Sequence, residues 1–222
     1  MKPVKNIAKT SFLVVLLVMM MSCNGQAKTD VITEQQGPVG GGCDGCELMY
    51  VGLPKNIKSV DTSAGWYETG QKLLLTGTVY KHGGKIPAPN VIIYYWQTDS
   101  RGYYSPKSGM DRQAERHGHI RGWVKTNDQG AYSIYTIRPA PYPNENMPAH
   151  IHTSIKEPNI KDAYYLDAFV FDDDILLTDT KRSLLENRGG SGILSISKEN
   201  DLQIAKHDIF LGLHIPNYPK KQ

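Results

Sequence analysis

The 222-residue chain is short of cysteine, of long apolar runs, of helical periodicity and of net charge. Two of its three cysteines, Cys43 and Cys46, share one segment, GGGCDGCE. No second pair is available to complete a four-cysteine zinc site. Glu47 stands where haem attachment needs a histidine, and no helix signal follows the pair as a redox Cys-x-x-Cys would require. A local disulfide remains, the usual state of a close pair in an exported protein. The apolar run Phe12–Met21 is ten residues long, against the ~20 needed to span a bilayer. The formal charge of +3 arises from 25 Lys+Arg against 22 Asp+Glu, and Lys2, Lys5 and Lys9 account for all of it. A chain cut after Ser22 is therefore neutral. With no basic tract, it has little electrostatic means of holding nucleic acid, and that class of function is excluded.

What is present begins with an export signal: three lysines, the apolar run, then Ser22-Cys23. The small residue before Cys23 resembles a bacterial lipobox, although Met20 and Met21 replace the usual Leu and Ala. Residues 1–22 are expected to be a lipoprotein-type signal peptide. Lipidated Cys23 would then attach the protein to a membrane of the cell envelope, in the periplasm or at the surface. An ordinary signal cut nearby and an uncleaved anchor are the alternatives. Residues 23–48 are polar and end in glycines, so they read as a flexible tether carrying the Cys43/Cys46 pair.

From Leu73 onward, short runs rich in Val, Ile, Tyr and Thr alternate with Gly, Pro, Asn and Asp clusters. Strands are predicted at 73–80, 91–97, 131–137, 151–155, 166–171, 192–197 and 209–214. Thr178–Glu186 is the one short helix expected. The fold class is all-β, an antiparallel β-sandwich with long loops and little helix, over residues 49–222.

The chemistry gathers in five ordered segments. His150-Ile151-His152 lies in a predicted strand, where a period of two puts both imidazoles on one face, as two ligands of one metal require. The approach is proline-rich, and Tyr142 is clamped between Pro141 and Pro143. Upstream stand Leu75-x-Gly77-x-Val79, then Trp96-Gln97 followed by Gly102-x-Tyr104, then Arg121-Gly122 with the turn Thr126-x-Asp128-x-Gly130-x-Tyr132. In this order the segments resemble the intradiol ring-cleavage dioxygenases, the family of catechol 1,2-dioxygenase and protocatechuate 3,4-dioxygenase. The match covers about 73–171 strongly and the later strands loosely.

The resemblance implies a non-haem Fe(III) ion held by Tyr104, Tyr142, His150 and His152, with Tyr103 competing for the first position. Hard phenolate donors suit the ferric state. It implies O2-dependent cleavage of the bond between the two hydroxylated carbons of a catechol, giving a muconate-type diacid, with the metal acting as a Lewis acid on the diol. Small aromatic diol and O2 are the implied partners, and the homo-oligomeric state is left open. Two departures stand out. Met147 occupies the position of an arginine that stabilises the ring anion, and no glutamine lies near 166–169. Arg121 and Arg138 are the candidates to replace that charge. A zinc site of His150, His152 and Glu145 is the alternative metal reading, and a metal- or ligand-binding module without ring cleavage is the alternative function. His117 and His119 are expected in a solvated loop or at a cleft rim. His82, His207 and His214 are expected at the surface or at strand ends, and Asp172–Asp174 in a solvated turn.

Overall fold

The computed structural model describes residues 37–219. The signal segment, Cys23 and the first part of the expected tether lie outside these residues. Twelve strands are described, beginning with β1 (Val60–Thr62), β2 (Lys72–Tyr80), β3 (Ile92–Gln97), β4 (Arg121–Lys125), β5 (Ala131–Ile137) and β6 (His150–Lys156). They continue with β7 (Tyr164–Tyr165), β8 (Phe169–Phe171), β9 (Ile193–Leu194), β10 (Ile196–Glu199), β11 (Leu202–Lys206) and β12 (Ile209–Phe210). One α-helix, α1 (Asp179–Ser183), is capped by the Thr178 hydroxyl.

Two sheets form the sandwich. The first runs β1-β5-β2-β11-β10, with β12 also on β2, and the second runs β4-β3-β6-β8-β9, with β7 on β6. The period-two patterning of β2 and β5 makes this arrangement. Leu73, Leu75 and Val79 of β2, with Tyr132 and Ile134 of β5, point inward, while their neighbours are half exposed. Ile93, Tyr95, Ile151, Ile155 and Phe169 meet them from the second sheet.

The central pairs, β2–β5, β3–β4 and β3–β6, are antiparallel. The sheets are not wholly so, because β1–β5, β11–β2, β12–β2 and β8–β9 pair in parallel. Parallel neighbours need long crossovers, and the connection from Phe171 to Ile193, which contains α1, is one of them. Strands β1, β4, β7 and β11 escape the sequence prediction because they are short or flanked by charge, as in Arg121-Gly-Trp-Val-Lys125.

The segment from Gly37 to Leu48 is a packed strap and not a flexible tether. Gly40 N–H donates to the Pro216 carbonyl at 2.7 Å, and Cys46, Leu48 and Met49 are buried. Cys43 and Cys46 form a disulfide, followed by a 3-10 turn at Cys46–Tyr50. Trp123 Nε1 donates to the Met49 carbonyl at 2.7 Å, and Arg121 Nη2 donates to the carbonyls of Leu48 and Val51. This strap and the 3-10 turn Arg112–His117 lie over the outer face of the second sheet. That cover explains why β3 is buried almost throughout: Tyr94 and Trp96 lie beneath it, and Ile93 and Tyr95 face the sandwich core.

Candidate metal centre

The site is built on the outer face of β6. Ile151 and Ile155 fill the sandwich, so His150 and His152 point the other way, and His152 is in register with Trp96 of β3. The indole stacks on the His152 imidazole at 4.8 Å and, through the same outer layer, on His117 at 4.1 Å. The His117 Nδ1 lies 2.9 Å from the Tyr94 hydroxyl. His117 is thus 6% exposed and buried behind the site, not in a solvated loop. A charged sequence neighbourhood concealed this, since Arg116 turns outward to Asp44 and Glu47 of the strap.

Two loops bring in the tyrosines. In the first, Asp99 folds the chain after β3 by accepting from the backbone N–H of Arg101 (2.8 Å) and Tyr103 (3.2 Å) and from Ser105 Oγ (2.8 Å). Burial alone would raise its carboxyl, but these bonds and Arg101 outweigh it and hold Asp99 down at about 2. The turn sends Tyr103 to solvent, 54% exposed, and Tyr104 into the cluster. The second loop, leading to Tyr142, is fastened to the first: Thr98 Oγ1 donates to the Ala140 carbonyl at 2.7 Å and Ala140 N–H to the Asp99 carbonyl at 3.1 Å. Gly102 has φ +89°, and a Cβ there would strike the Pro141 carbonyl. Only glycine permits both the conformation and the approach.

The four side chains meet at their tips. Tyr142 Oη lies 2.6 Å from Tyr104 Oη, 3.0 Å from His150 Nε2 and 3.4 Å from His152 Nε2, and the two Nε2 atoms are 3.1 Å apart. His150 Nδ1–H donates to the Pro148 carbonyl at 2.8 Å, which leaves its Nε2 lone pair facing the cluster. The segment before β6 is held in turn by Asp174, whose Oδ2 accepts from Ala149 N–H at 2.8 Å. Burial pushes both phenols up and both imidazoles down, His152 to about 3, so without a cation all four groups are neutral. Two hard oxygen donors and two nitrogen lone pairs converging on one point suit a ferric ion, whose charge would reverse the preference of the phenols for protonation. Among the described residues, no carboxylate or further histidine joins His150 and His152 in a group of three, so Glu145 does not complete a zinc site.

The expected arginines stand elsewhere. Arg138 is paired with Asp173 through bonds of 2.7 and 2.9 Å and lies over Phe171 at 4.2 Å. Arg121 is directed at the strap carbonyls and lies over Tyr94 and Trp123. Neither bonds to the four-residue cluster, and their contacts give both a bracing role. Met147 is 44% exposed and lines a cavity beside the histidines together with Ala168.

The remaining polar residues stand where the sequence places them, His207 at the end of β11, His119 at a cavity rim and Asp172–Asp174 in a largely exposed turn after β8, but with partners the sequence does not show. His207 is 9% exposed, and burial against Phe169 pushes it down to about 4. His119 bridges the Ser105 carbonyl and Glu68, each at 2.5 Å. Each aspartate of the Asp172–Asp174 turn has a partner: Arg182, Arg138, and the N–H groups of Ala149 and Leu176.

Comparison with known proteins is consistent with this geometry. A family model described as "Dioxygenase" matches residues 52–188. Catechol 1,2-dioxygenase of Acinetobacter baylyi is 30% identical over 122 residues, 47% of this chain and 38% of the relative. The protocatechuate 3,4-dioxygenase beta chain of Burkholderia cepacia is 33% identical over 92 residues, 39% of each chain. The chain thus spans about two-fifths of the length of these curated relatives. Among solved structures, the dioxygenase domain of a dioxygenase–carbohydrate-binding fusion from Streptomyces sp. SirexAA-E shares the fold at TM-score 0.51 and 20% identity. That match covers 72% of this chain and 91% of the other. An Acinetobacter radioresistens catechol 1,2 dioxygenase matches at TM-score 0.54 and 15% identity, over 76% and 62% of the two chains. With the family match over most of the sandwich and the motif order of the loops, the chain belongs to the intradiol ring-cleavage dioxygenase family.

Proposed function

We propose that this protein is a non-haem Fe(III) intradiol dioxygenase that uses O2 to break the C–C bond between the two hydroxylated carbons of a catechol-type aromatic. The observation that carries the reading is the convergence of Tyr104, Tyr142, His150 and His152 at contacts of 2.6 to 3.4 Å. These four residues would hold the metal. When bound, it supplies the Lewis acidity that lowers the cost of the diol dianion.

The chain's own residues do the rest. Pro148 fixes the His150 tautomer through its carbonyl, and Trp96 holds the His152 ring in plane by stacking. Tyr104 sits on the turn shaped by Asp99, and as the phenolate that metal binding would leave, its Oη would take a proton from the incoming diol. The apolar cavity walls beside the histidines would receive the ring and orient it. We further propose that the mature protein is exported and lipid-anchored through Cys23. The Cys43–Cys46 disulfide, a bond that persists in oxidising compartments, supports the export.

A visible spectrum of the purified protein tests the reading. A tyrosinate-to-iron charge-transfer band is expected that shifts and weakens in Tyr142→Phe, where Tyr104 remains, and is lost when Tyr104→Phe is added. Colourless protein that takes up no iron on ferric reconstitution would overturn it. Oxygen uptake with a panel of catechols then separates ring cleavage from binding alone.

A further inference from the structure

Two cavities adjoin the histidine edge of the cluster. The first, of about 370 Å3, has His150 and His152 on one side and Met147, Val170, Leu177 and Leu185 around the rest. That volume falls in the range of small-molecule sites, ~300–1,000 Å3. Lys181 of α1 also borders it. Its Nζ, however, donates to the Leu176 carbonyl at 2.9 Å, to Asn146 Oδ1 at 3.3 Å and to the Asn146 carbonyl. The three ammonium donors are taken up there, so Lys181 offers the cavity its methylene stem, and the wall is nearly all carbon.

The second cavity, of about 440 Å3, shares His152, Ala168, Val170 and Leu185 with the first. Its charged residues are Asp167, Glu186 and Arg188. Arg188 Nε lies 3.6 Å from Glu186 Oε2, and its Nη2 donates to the Gly40 carbonyl. One guanidinium is therefore outnumbered by two carboxylates. Among the described residues, neither cavity beside His152 presents a cation without a carboxylate or carbonyl partner.

Resting on the diol-cleaving reading, we infer that the substrate class is a catechol bearing an uncharged, apolar substituent, alkyl or aryl, seated against Val170, Leu177 and Leu185, and that carboxylated diols are selected against. Each substituent carbon buried against these walls favours binding. A ring carboxylate placed there would lose its water and find no partner, and one turned to the second cavity would face Asp167 and Glu186.

Anaerobic titration of the iron-loaded full chain with 4-tert-butylcatechol and with 3,4-dihydroxybenzoate tests this, read by calorimetry and by the shift of the visible band. The alkylated diol is expected to bind about thirtyfold tighter. Met147 is exposed enough for the fold to accept a long side chain, and Met147→Arg is expected to narrow that ratio about tenfold with the iron band retained. Loaded protein that binds the carboxylated diol as tightly as the alkylated one overturns the inference and leaves the iron reading standing. So does a ratio unmoved by Met147→Arg. Protein that takes up no ferric ion overturns the reading beneath it, and the inference with it.

Discussion

The two faces of the β3–β6 pair are made by the same strands and answer to different rules. On the inner face Ile93, Tyr95, Ile151 and Ile155 meet the opposite sheet, and simple alternation along the chain puts them there. On the outer face Tyr94, Trp96, His150 and His152 are also covered, but by the strap around Cys43–Cys46, the turn at 112–117 and the loops bearing Tyr104 and Tyr142. The inner face is a dry core whose removal should cost stability. The outer face joins a small apolar cluster around Tyr94 and Trp96 to a polar constellation around His150 and His152, and removal of the polar part should cost function. Stability and site geometry are therefore separable residue by residue along β6.

The sharpest break of that comparison comes from the donors. His152→Ala is expected to lower ferric affinity at least about a hundredfold, since a direct ligand should count for more than the 10–100-fold typical of its outer partners. The metal-free fold should lose only about 1 kcal/mol, chiefly the stack on Trp96, because the ring points away from the sandwich core. Ferric uptake followed by colour, with urea unfolding of the metal-free protein, checks both halves. A large loss of stability would show that the outer face is core after all.

One residue earlier, Ile151→Ala should do the reverse. Ile151 is 1% exposed in the sandwich core, and truncating such a residue costs about 2–5 kcal/mol. Urea melts should show that loss, while the fraction that remains folded still binds iron with near-native affinity.

Asp174 sharpens the comparison from outside both faces. Its bond to Ala149 N–H sets the approach to His150. Asp174→Ala is expected to weaken ferric binding about tenfold, the size of effect seen when support of a ligand is lost, and to lower stability by about 1 kcal/mol. Asp174→Asn, which keeps an acceptor oxygen, should restore most of the affinity. Equal damage from both substitutions would point to a structural role alone.

How far the sequence reveals these features follows the same division. Alternation in Leu73–Val79 and Ala131–Ile137 identifies the sandwich strands, and His150-x-His152 states its own facing because the period is two. Proline-clamped Tyr142 is legible for a similar local reason. The strap is not legible: GGGCDGCE has no period, and its burial depends on Trp123 and Arg121 more than 70 residues away. His117 and Asp174 are missed for that reason too, since each sits among charged neighbours and gains its role from a partner distant in the chain, Trp96 or Ala149. Arg121 and Arg138 show the converse error. Charge suggested anion binding, whereas the strap carbonyls and Asp173 claim both side chains.

The smallest effect lies in the loop that carries Tyr104. Asp99 is held at about 2, below the ordinary carboxylate value of 3.8, by bonds that exist only in the folded loop. A depressed value means that its contribution is fully present above about pH 4 and is lost as the pH falls toward 2. Arg101, one of its partners, is largely exposed and screened, so the contribution is on the order of 1 kcal/mol. Asp99→Asn should therefore lower stability at neutral pH by about that amount and flatten the acid limb of the stability profile between pH 4 and 2. The wild-type and variant curves should converge at the acid end. Parallel curves across that window would mean that Asp99 shapes the Tyr104 turn through its geometry alone, and that its charge contributes nothing to holding the outer face closed.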